Sequence, residues 1–314
     1  MSVEQPRYDV AVIVVGLNAR EYVRGCFTSL LQANWRGRTY EIIYVDNGSS
    51  DGSVEMVRNH FPAAKILVND RNLGFCRAAN QGAALAESRY YFFLNDDTLV
   101  LDDAIPLLIE AFEEMPSAGI IGSRLLNLDR TDQWSGRRFP SAWNALLGRR
   151  SVLSRFFPNA KPVANYLCKA QLKQGEPFDV DWLSAAAMMI KRESFERLGG
   201  FFENYYYFHE LLICKRATDY GERVVLHPDS RIVHYEGMGS GTRPYSVKKR
   251  HLINFHLGAY RWYCEHYKLN KLHPRRWLCA AMMSIRAGGL IAAARLHDVF
   301  WRAGGSPVAR QSGS

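Results

Sequence analysis

The sequence predicts an α/β fold with a doubly wound, largely parallel sheet in its first half. Three observations predict it. From Val10 onward, short β-branched runs alternate with segments of helical period. Polar residues stand where the apolar runs stop, at the ends of the expected strands. The 314 residues are 47% hydrophobic and 12% aromatic, enough to bury a sizeable core, which excludes a disordered tail, a collagen or a small disulfide scaffold.

Taken in order, VAVIVV reads as the first strand, followed by a helix from about Arg20 to Ala33, the strand EIIYV, a helix after Asp51-Gly52, and the strand KILV. A polar turn, Asn69 to Gly74, leads into a small-residue helix through Ala86. The strand YYFFLN and a helix opened by Asp102 as N-cap follow. The first 120 or so residues thus resemble a nucleotide-binding half, with ligands expected beyond the carboxyl ends of the strands. Residues 130–178 lose periodicity, carry Trp134 and Trp143, and are expected to form a lid or binding loop. Regular structure resumes with WLSAAAMMI, a short helix closed by Gly199 and Gly200, and the strands RVVLH and RIVH. After Gly241 the chain is expected to be helical to its end.

Charge is unevenly spread. Residues 243–314 hold 13 Lys/Arg against Glu265 and Asp298, a net +11, whereas the rest of the chain sets 27 basic residues against 29 acidic ones. A near-neutral body with a basic appendage fits this better than a globally basic nucleic-acid binder. Six scattered cysteines without metal-ligand spacing, and a start lacking an apolar signal region, point to a reducing cytoplasm. No stretch of about 20 uncharged apolar residues is expected to span a bilayer. The nearest, Trp277 to Trp301, is interrupted by Arg286, Arg295, His297 and Asp298.

Two strand ends carry chemistry. Asp46 follows an apolar run and precedes a Gly/Ser turn; its carboxylate could accept from a base N–H or ribose hydroxyls, or could serve only the turn and the next helix. Asn95, Asp96 and Asp97 end another apolar strand, and such oxygen ligands suit Mg²⁺ or Mn²⁺ bridging two phosphates; a solvated loop capped at Thr98 is the alternative.

VDNGSSDGS, RNLGFCRAANQG, LNDDT, GGF and VHYEGMGSG occur in an order that resembles glycosyltransferase family 2, especially its rhamnosyltransferase-like branch. The likeness covers roughly residues 8–243. It implies an inverting, metal-dependent enzyme of GT-A fold, with a Rossmann-like mixed sheet flanked by helices. A catalytic domain would span 1–242, its donor-binding half about 8–125 and its acceptor half about 179–242, before a basic helical extension at 243–314. The resemblance implies that Asp46 contacts the base and that Arg71, Asn72, Gly74 and Phe75 shape the nucleotide pocket. It places Asn95 and Asp96 near ribose and phosphates, and Asp97 on the metal with His234 nearby. Asn18 is carried over although VVGLN lacks the family's Tyr before the Asn.

An inverting transfer needs a base for the acceptor hydroxyl. The family carries it in a GlyGlyPheAspGlu stretch, an aromatic run and a GluAsp pair, with a further Asp two residues on. This chain reads GGFFENYYYFHELLICKR, with Phe202, His209-Glu210 and Leu212 as departures. Aligned back from Cys214 and Gly221, Glu210 takes the base position and His209 precedes it. Aligned forward from Gly200, Leu211 takes it, leaving a silent nucleotide- or glycan-binding scaffold. The favoured register is the first, with Trp182 and His209 on the acceptor side.

The implied donor is a nucleotide-diphosphate sugar, with dTDP-rhamnose the specific expectation, and the acceptor a surface polysaccharide or lipid-linked glycan. The C-terminal quarter mixes Arg and Lys with Trp, Tyr, Leu and Met, as interfacial helices do. Peripheral contact with the inner face of the cell membrane is expected. An apolar face packed on the body or in a homodimer is the competing reading, and nucleic acid ranks last.

Overall fold

The computed structural model describes residues 6–140, 160–235 and 245–303. The chain divides into two units, residues 1–204 with 209–239 and residues 205–208 with 240–314. The border expected at 242–243 lies outside the described residues, as do 141–159 of the aperiodic stretch.

The first unit opens with β1 (Tyr8–Gly16), α1 (Arg20–Gln32), β2 (Tyr40–Asp46), α2 (Ser53–His60), β3 (Lys65–Val68), α3 (Phe75–Ala84) and β4 (Ser88–Asn95). It continues with β5 (Thr98–Val100), α4 (Ala104–Glu114), β6 (Ala118–Leu126), β7 (Gly136–Arg137), α5 (Lys161–Tyr166) and α6 (Lys169–Leu172). Then come β8 (Phe178–Asp179), β9 (Trp182–Leu183), β10 (Ala187–Lys191), α7 (Arg192–Leu198), α8 (His209–Asp219) and β11 (Arg223–His234).

Among the described residues these strands build a nine-stranded sheet in the order β3-β2-β1-β4-β10-β6-β11-β5, with β8 on β11; β7 and β9 pair separately. β10 runs antiparallel between β4 and β6, which makes the sheet mixed. Both faces of β1 are covered, as its unbroken apolar run requires. Val10, Val12 and Val14 join Phe27, Leu30, Phe92 and Leu108 in the main core, and Ile13 meets α3 on the other face. α3 lies so close to the sheet that a Cβ on Gly82 would stand 2.5 Å from Ile13 Cγ2 and 3.1 Å from Val45 Cγ2.

Register brings the polar strand ends to one level. Val15 of β1 is paired with Val45 on one side and Asn95 on the other, and Gly16 is paired with Asp46.

Three expectations need correction. The N-cap position of α4 belongs to Asp103, without a side-chain cap, while Asp102 turns the chain at φ 46°. RVVLH and RIVH form one strand with a register shift between His227 and Arg231. One helix is long and apolar enough to cross a membrane: Pro274–Leu296, mean hydropathy 1.5. Residues 277–294 within it carry a single charge, Arg286, while Arg295 and Asp298 lie at and beyond its end.

The second unit holds α9 (Tyr245–His266) and α10 (Pro274–Ala303), which pack as a helical hairpin. Residues 205–208 belong to it: Tyr207 Oη lies 2.7 Å from His251 Nδ1, Tyr205 donates to Glu265 at 2.5 Å, and the Phe208 ring sits 5.2 Å from that of Phe255. All six cysteines are buried and free, and burial pushes the thiols of Cys26, Cys76 and Cys214 up to about 12.

Gly82→Ala should lower unfolding free energy by about 1–3 kcal/mol in denaturant titration, because overpacking against Ile13 outweighs the gain in helix propensity.

Candidate functional site

The parallel strands end in loops that are tied to one another. Asp46 is fully buried, and its carboxylate closes its own turn. Tyr44 Oη donates to Oδ1 at 3.0 Å, while the amides of Gly48 and Ser49 donate to Oδ2 at 3.1 and 2.8 Å. The expectation that this carboxylate meets a base directly is therefore corrected to a turn-forming place, since its oxygens face the protein. Gly48 is required here: its φ is 87°, and a Cβ would stand 2.9 Å from Arg71 Cα.

Asn47, not singled out in the sequence, joins this turn to the next loop. Its Oδ1 accepts from the Leu73 amide at 3.1 Å, and its Nδ2 donates to Asn72 Oδ1 at 3.3 Å. Asn72 Oδ1 also accepts from the Gly74 amide at 2.8 Å, where φ 86° opens α3. On the other side Asn18 Oδ1 accepts from the Ser50 amide at 2.8 Å, and the Asn18 amide donates to Ser49 Oγ at 2.9 Å. Asn18, Asp46, Asn72 and Gly74 are thus brought into one hydrogen-bonded rim, with Arg71 exposed upon it.

The second cluster lies at the end of β4. Asp97 Oδ1 is buried without a hydrogen-bond donor and faces His234 Nε2 at 3.2 Å. Asn95 Nδ2 lies 3.3 Å from the same nitrogen. Behind the ring stands Gln133, another residue the sequence did not disclose. Its Nε2 donates to the His234 carbonyl at 2.6 Å and to Asn127 Oδ1 at 3.0 Å, so its Oε1 is left to accept from His234 Nδ1 at 2.9 Å. That arrangement directs the Nδ1 proton to Gln133 Oε1 and leaves Nε2 facing Asp97. A carboxylate oxygen without a donor beside an imidazole nitrogen is a donor set that fits a divalent metal. Among the described residues no group of three or more His, Cys, Asp or Glu converges on one point. The Asp96 carboxyl is raised to about 7, first by burial and then by the Asp97 charge.

A third group stands at the N-terminus of α8. The double-glycine turn before it is clamped by Asn80, whose Oδ1 accepts from the Phe201 amide and whose Nδ2 donates to the Phe201 carbonyl, each at 2.9 Å. Phe75 reaches across to this region, its ring 5.0 Å from the His209 imidazole. His209 Nδ1 and Glu210 Oε2 are both buried without hydrogen-bond partners, 3.4 Å apart. The Glu210 charge also adds to the upward push on the Cys76 thiol, after burial. Leu211, the residue of the competing register, points into the core.

Trp182 is not part of these groups. Its side chain is buried in the β7–β9 ladder, the indole N–H donates to the Arg138 carbonyl at 2.9 Å, and Arg137 stacks 4.7 Å above the ring. Residues 236–241 of VHYEGMGSG lie outside the described residues.

The raised Asp96 carboxyl has a stability signature. Its contribution is complete below about pH 4 and is lost as pH rises through about 7, where the folded protein must ionise a buried group. Metal-free Asp96→Asn should therefore be more stable than wild type near about pH 8, by about 2 kcal/mol, with the advantage vanishing toward about pH 4 in urea titrations.

Comparison with known proteins addresses the family and the fold. Residues 11–199 match the model of glycosyl transferase family 2. Over 262 residues the chain is 26% identical to the N-acetylglucosaminyl-diphospho-decaprenol L-rhamnosyltransferase of Mycobacterium tuberculosis (strain ATCC 25618 / H37Rv), covering 80% of this chain and 83% of that protein. It is 27% identical over 140 residues to the uncharacterized glycosyltransferase YibD of Escherichia coli (strain K12), covering 44% of this chain and 38% of that one. Among solved structures, GalNAc-T7 with UDP, GalNAc and Mn²⁺ superposes with a TM-score of 0.57 at 18% identity, over 73% of this chain and 45% of that one. The mannosyltransferase PcManGT from Pyrobaculum calidifontis, in complex with GDP-Man and Mn²⁺, gives 0.57 at 18% identity over 97% and 79%. The sheet and its helices are a GT-A fold. With more than half of its residues inside the family model, and with carboxylates gathered at the carboxyl ends of its strands, the chain belongs to glycosyltransferase family 2.

Proposed function

We propose that the chain is a metal-dependent inverting glycosyltransferase that moves L-rhamnose from dTDP-rhamnose to a hydroxyl of a lipid-linked glycan or surface polysaccharide. The observation that carries this reading is Asp97 Oδ1, a buried carboxylate oxygen without a donor, 3.2 Å from His234 Nε2 at the mouth of the sheet. The sugar and the lipid-linked acceptor are supported by the mycobacterial relative, whose name carries both.

In this reading the rim of Asn18, Asn72, Gly74 and Phe75, with Arg71 upon it, binds the nucleotide, and Asp46 acts by holding the Gly48–Ser49 turn. Asn95 and Asp96 border ribose and phosphates. Asp97 and His234 hold Mg²⁺ or Mn²⁺, which when bound offsets the charge of the departing diphosphate. Glu210 Oε2, without a donor of its own, takes the proton of the acceptor hydroxyl. The hydroxyl oxygen bonds to the anomeric carbon as the bond from that carbon to the diphosphate oxygen breaks on the opposite face, so the configuration inverts. His209 fixes the Glu210 side, and Trp182 supports the acceptor side through Arg137.

The catalytic domain is assigned to 1–242 and a basic extension to 243–314, working at the cytoplasmic face of the membrane with peripheral contact through the extension. A silent nucleotide-binding scaffold is the second reading, favoured by Leu212 standing where the family carries a further Asp.

In calorimetry, dTDP should bind wild type in the presence of Mn²⁺ or Mg²⁺ and weaken by about 10-fold or more in EDTA or in Asp97→Ala; metal-independent binding would sink the metal assignment. Glu210→Gln should lower transfer by about 10²- to 10⁴-fold while nucleotide affinity stays within about 2-fold. Unchanged turnover in that variant would remove Glu210 as base, and an inactive wild type that still binds dTDP would establish the scaffold.

A further inference from the structure

α10 is built the wrong way round for a helix in water. One face rests on α9, with Cys279 buried and Met283, Ala287 and Ile291 half-buried along it. The opposite face should be polar. Instead Leu278, Met282, Ile285 and Leu296 recur there at helical spacing, 62%, 46%, 76% and 58% exposed. Arg286 follows Ile285 along one side of this stripe. Arg295 precedes Leu296 along the other, its guanidinium 5.1 Å from the Tyr245 ring. At the start of the stripe Trp277 is 66% exposed, and the connection before it carries Lys268, Lys271 and Leu272, the last 87% exposed.

Resting on the peripheral membrane contact assigned above, we propose that this stripe lies flat in the interface of an anionic lipid bilayer. Leu278, Ile285 and Trp277 enter the acyl boundary while Arg286 and Arg295 meet phosphates on either side. Charge selects this occupant. Residues 245–303 carry 11 Lys/Arg against Glu265 and Asp298, so anionic lipid is complementary, whereas a second copy would set one arginine-edged stripe against another. Beside the hairpin connection, a cavity of about 350 Å³ lined by Arg261, Lys268, Arg276 and Glu265 adds a basic recess suited to a lipid phosphate.

Lying flat fits better than spanning. Length does not decide between them, since Pro274–Leu296 would cover about 34 Å as a helix, against about 30 Å of hydrocarbon. Spanning would place the Arg286 charge near mid-bilayer and strip the face that rests on α9. An in-plane helix keeps that packing and lets both arginines reach the headgroups.

The test is flotation of the full chain with phosphatidylcholine vesicles, with and without phosphatidylglycerol. Wild type should bind the anionic vesicles about 10-fold more strongly than the neutral ones, with high salt weakening binding and alkaline carbonate releasing it. Leu278→Ser/Ile285→Ser should lose about 10-fold or more, and Arg286→Glu/Arg295→Glu should lose the preference for anionic lipid. dTDP affinity, unchanged in both, shows that the variants are folded. Binding indifferent to both double variants overturns the proposal, and so does retention through carbonate, which marks a spanning helix. Vesicle-free dimers that Leu278→Ser/Ile285→Ser dissociates would assign the stripe to a second copy and overturn it equally. Absence of wild-type binding to either vesicle removes this inference and the membrane contact together, while dTDP binding and transfer to a water-soluble acceptor decide the glycosyltransferase reading separately.

Discussion

A carboxylate taken out of water must find donors, and Asp46 finds three within its own turn. That closure decides the path of the chain after β2, because it brings Gly48 against the Arg71 backbone and lets Asn18 and Ser50 meet. Asn47, held in the same turn, then fixes the loop from Asn69 to Gly74. The rim at the strand ends is therefore a network of side-chain amides and backbone donors hung from one buried anion. Its rigidity comes from hydrogen bonds across loops far apart in sequence. The two carboxylate regions divide the labour: at Asp46 every oxygen is satisfied, and at Asp97 one is left open.

The contrast explains what was legible in the sequence. The parallel strands, the helices between them and the shared depth of Asp46 and Asn95 follow from periodicities of two and 3.6, which are local. Gln133 was invisible because it is one of several polar residues in an aperiodic stretch, and its meaning lies in His234, 101 positions away. Asn80 belongs to a quoted motif, yet its task, clamping Phe201 121 positions away, has no local pattern. Asp46 was read correctly as a strand-end carboxylate and wrongly in its direction, since a sequence gives the position of a side chain and not which of several donors it meets. The C-terminal helix was expected as helical, basic and apolar, but not as apolar enough over Pro274–Leu296 to pass as a membrane span.

The burial of the cysteines reaches beyond the fold. A thiol whose proton is held up to about 12 offers almost no thiolate at neutral pH, and thiolate is the form that attacks alkylating reagents and disulfides. Cys26, Cys76 and Cys214 are thus chemically silent as well as inaccessible, and Cys279 is raised in the same direction by burial. The native chain in its folded state presents a nearly blank background to maleimide chemistry. A single cysteine placed on an exposed position would carry a fluorophore or spin label by itself, with the natural six left in place to fill the core.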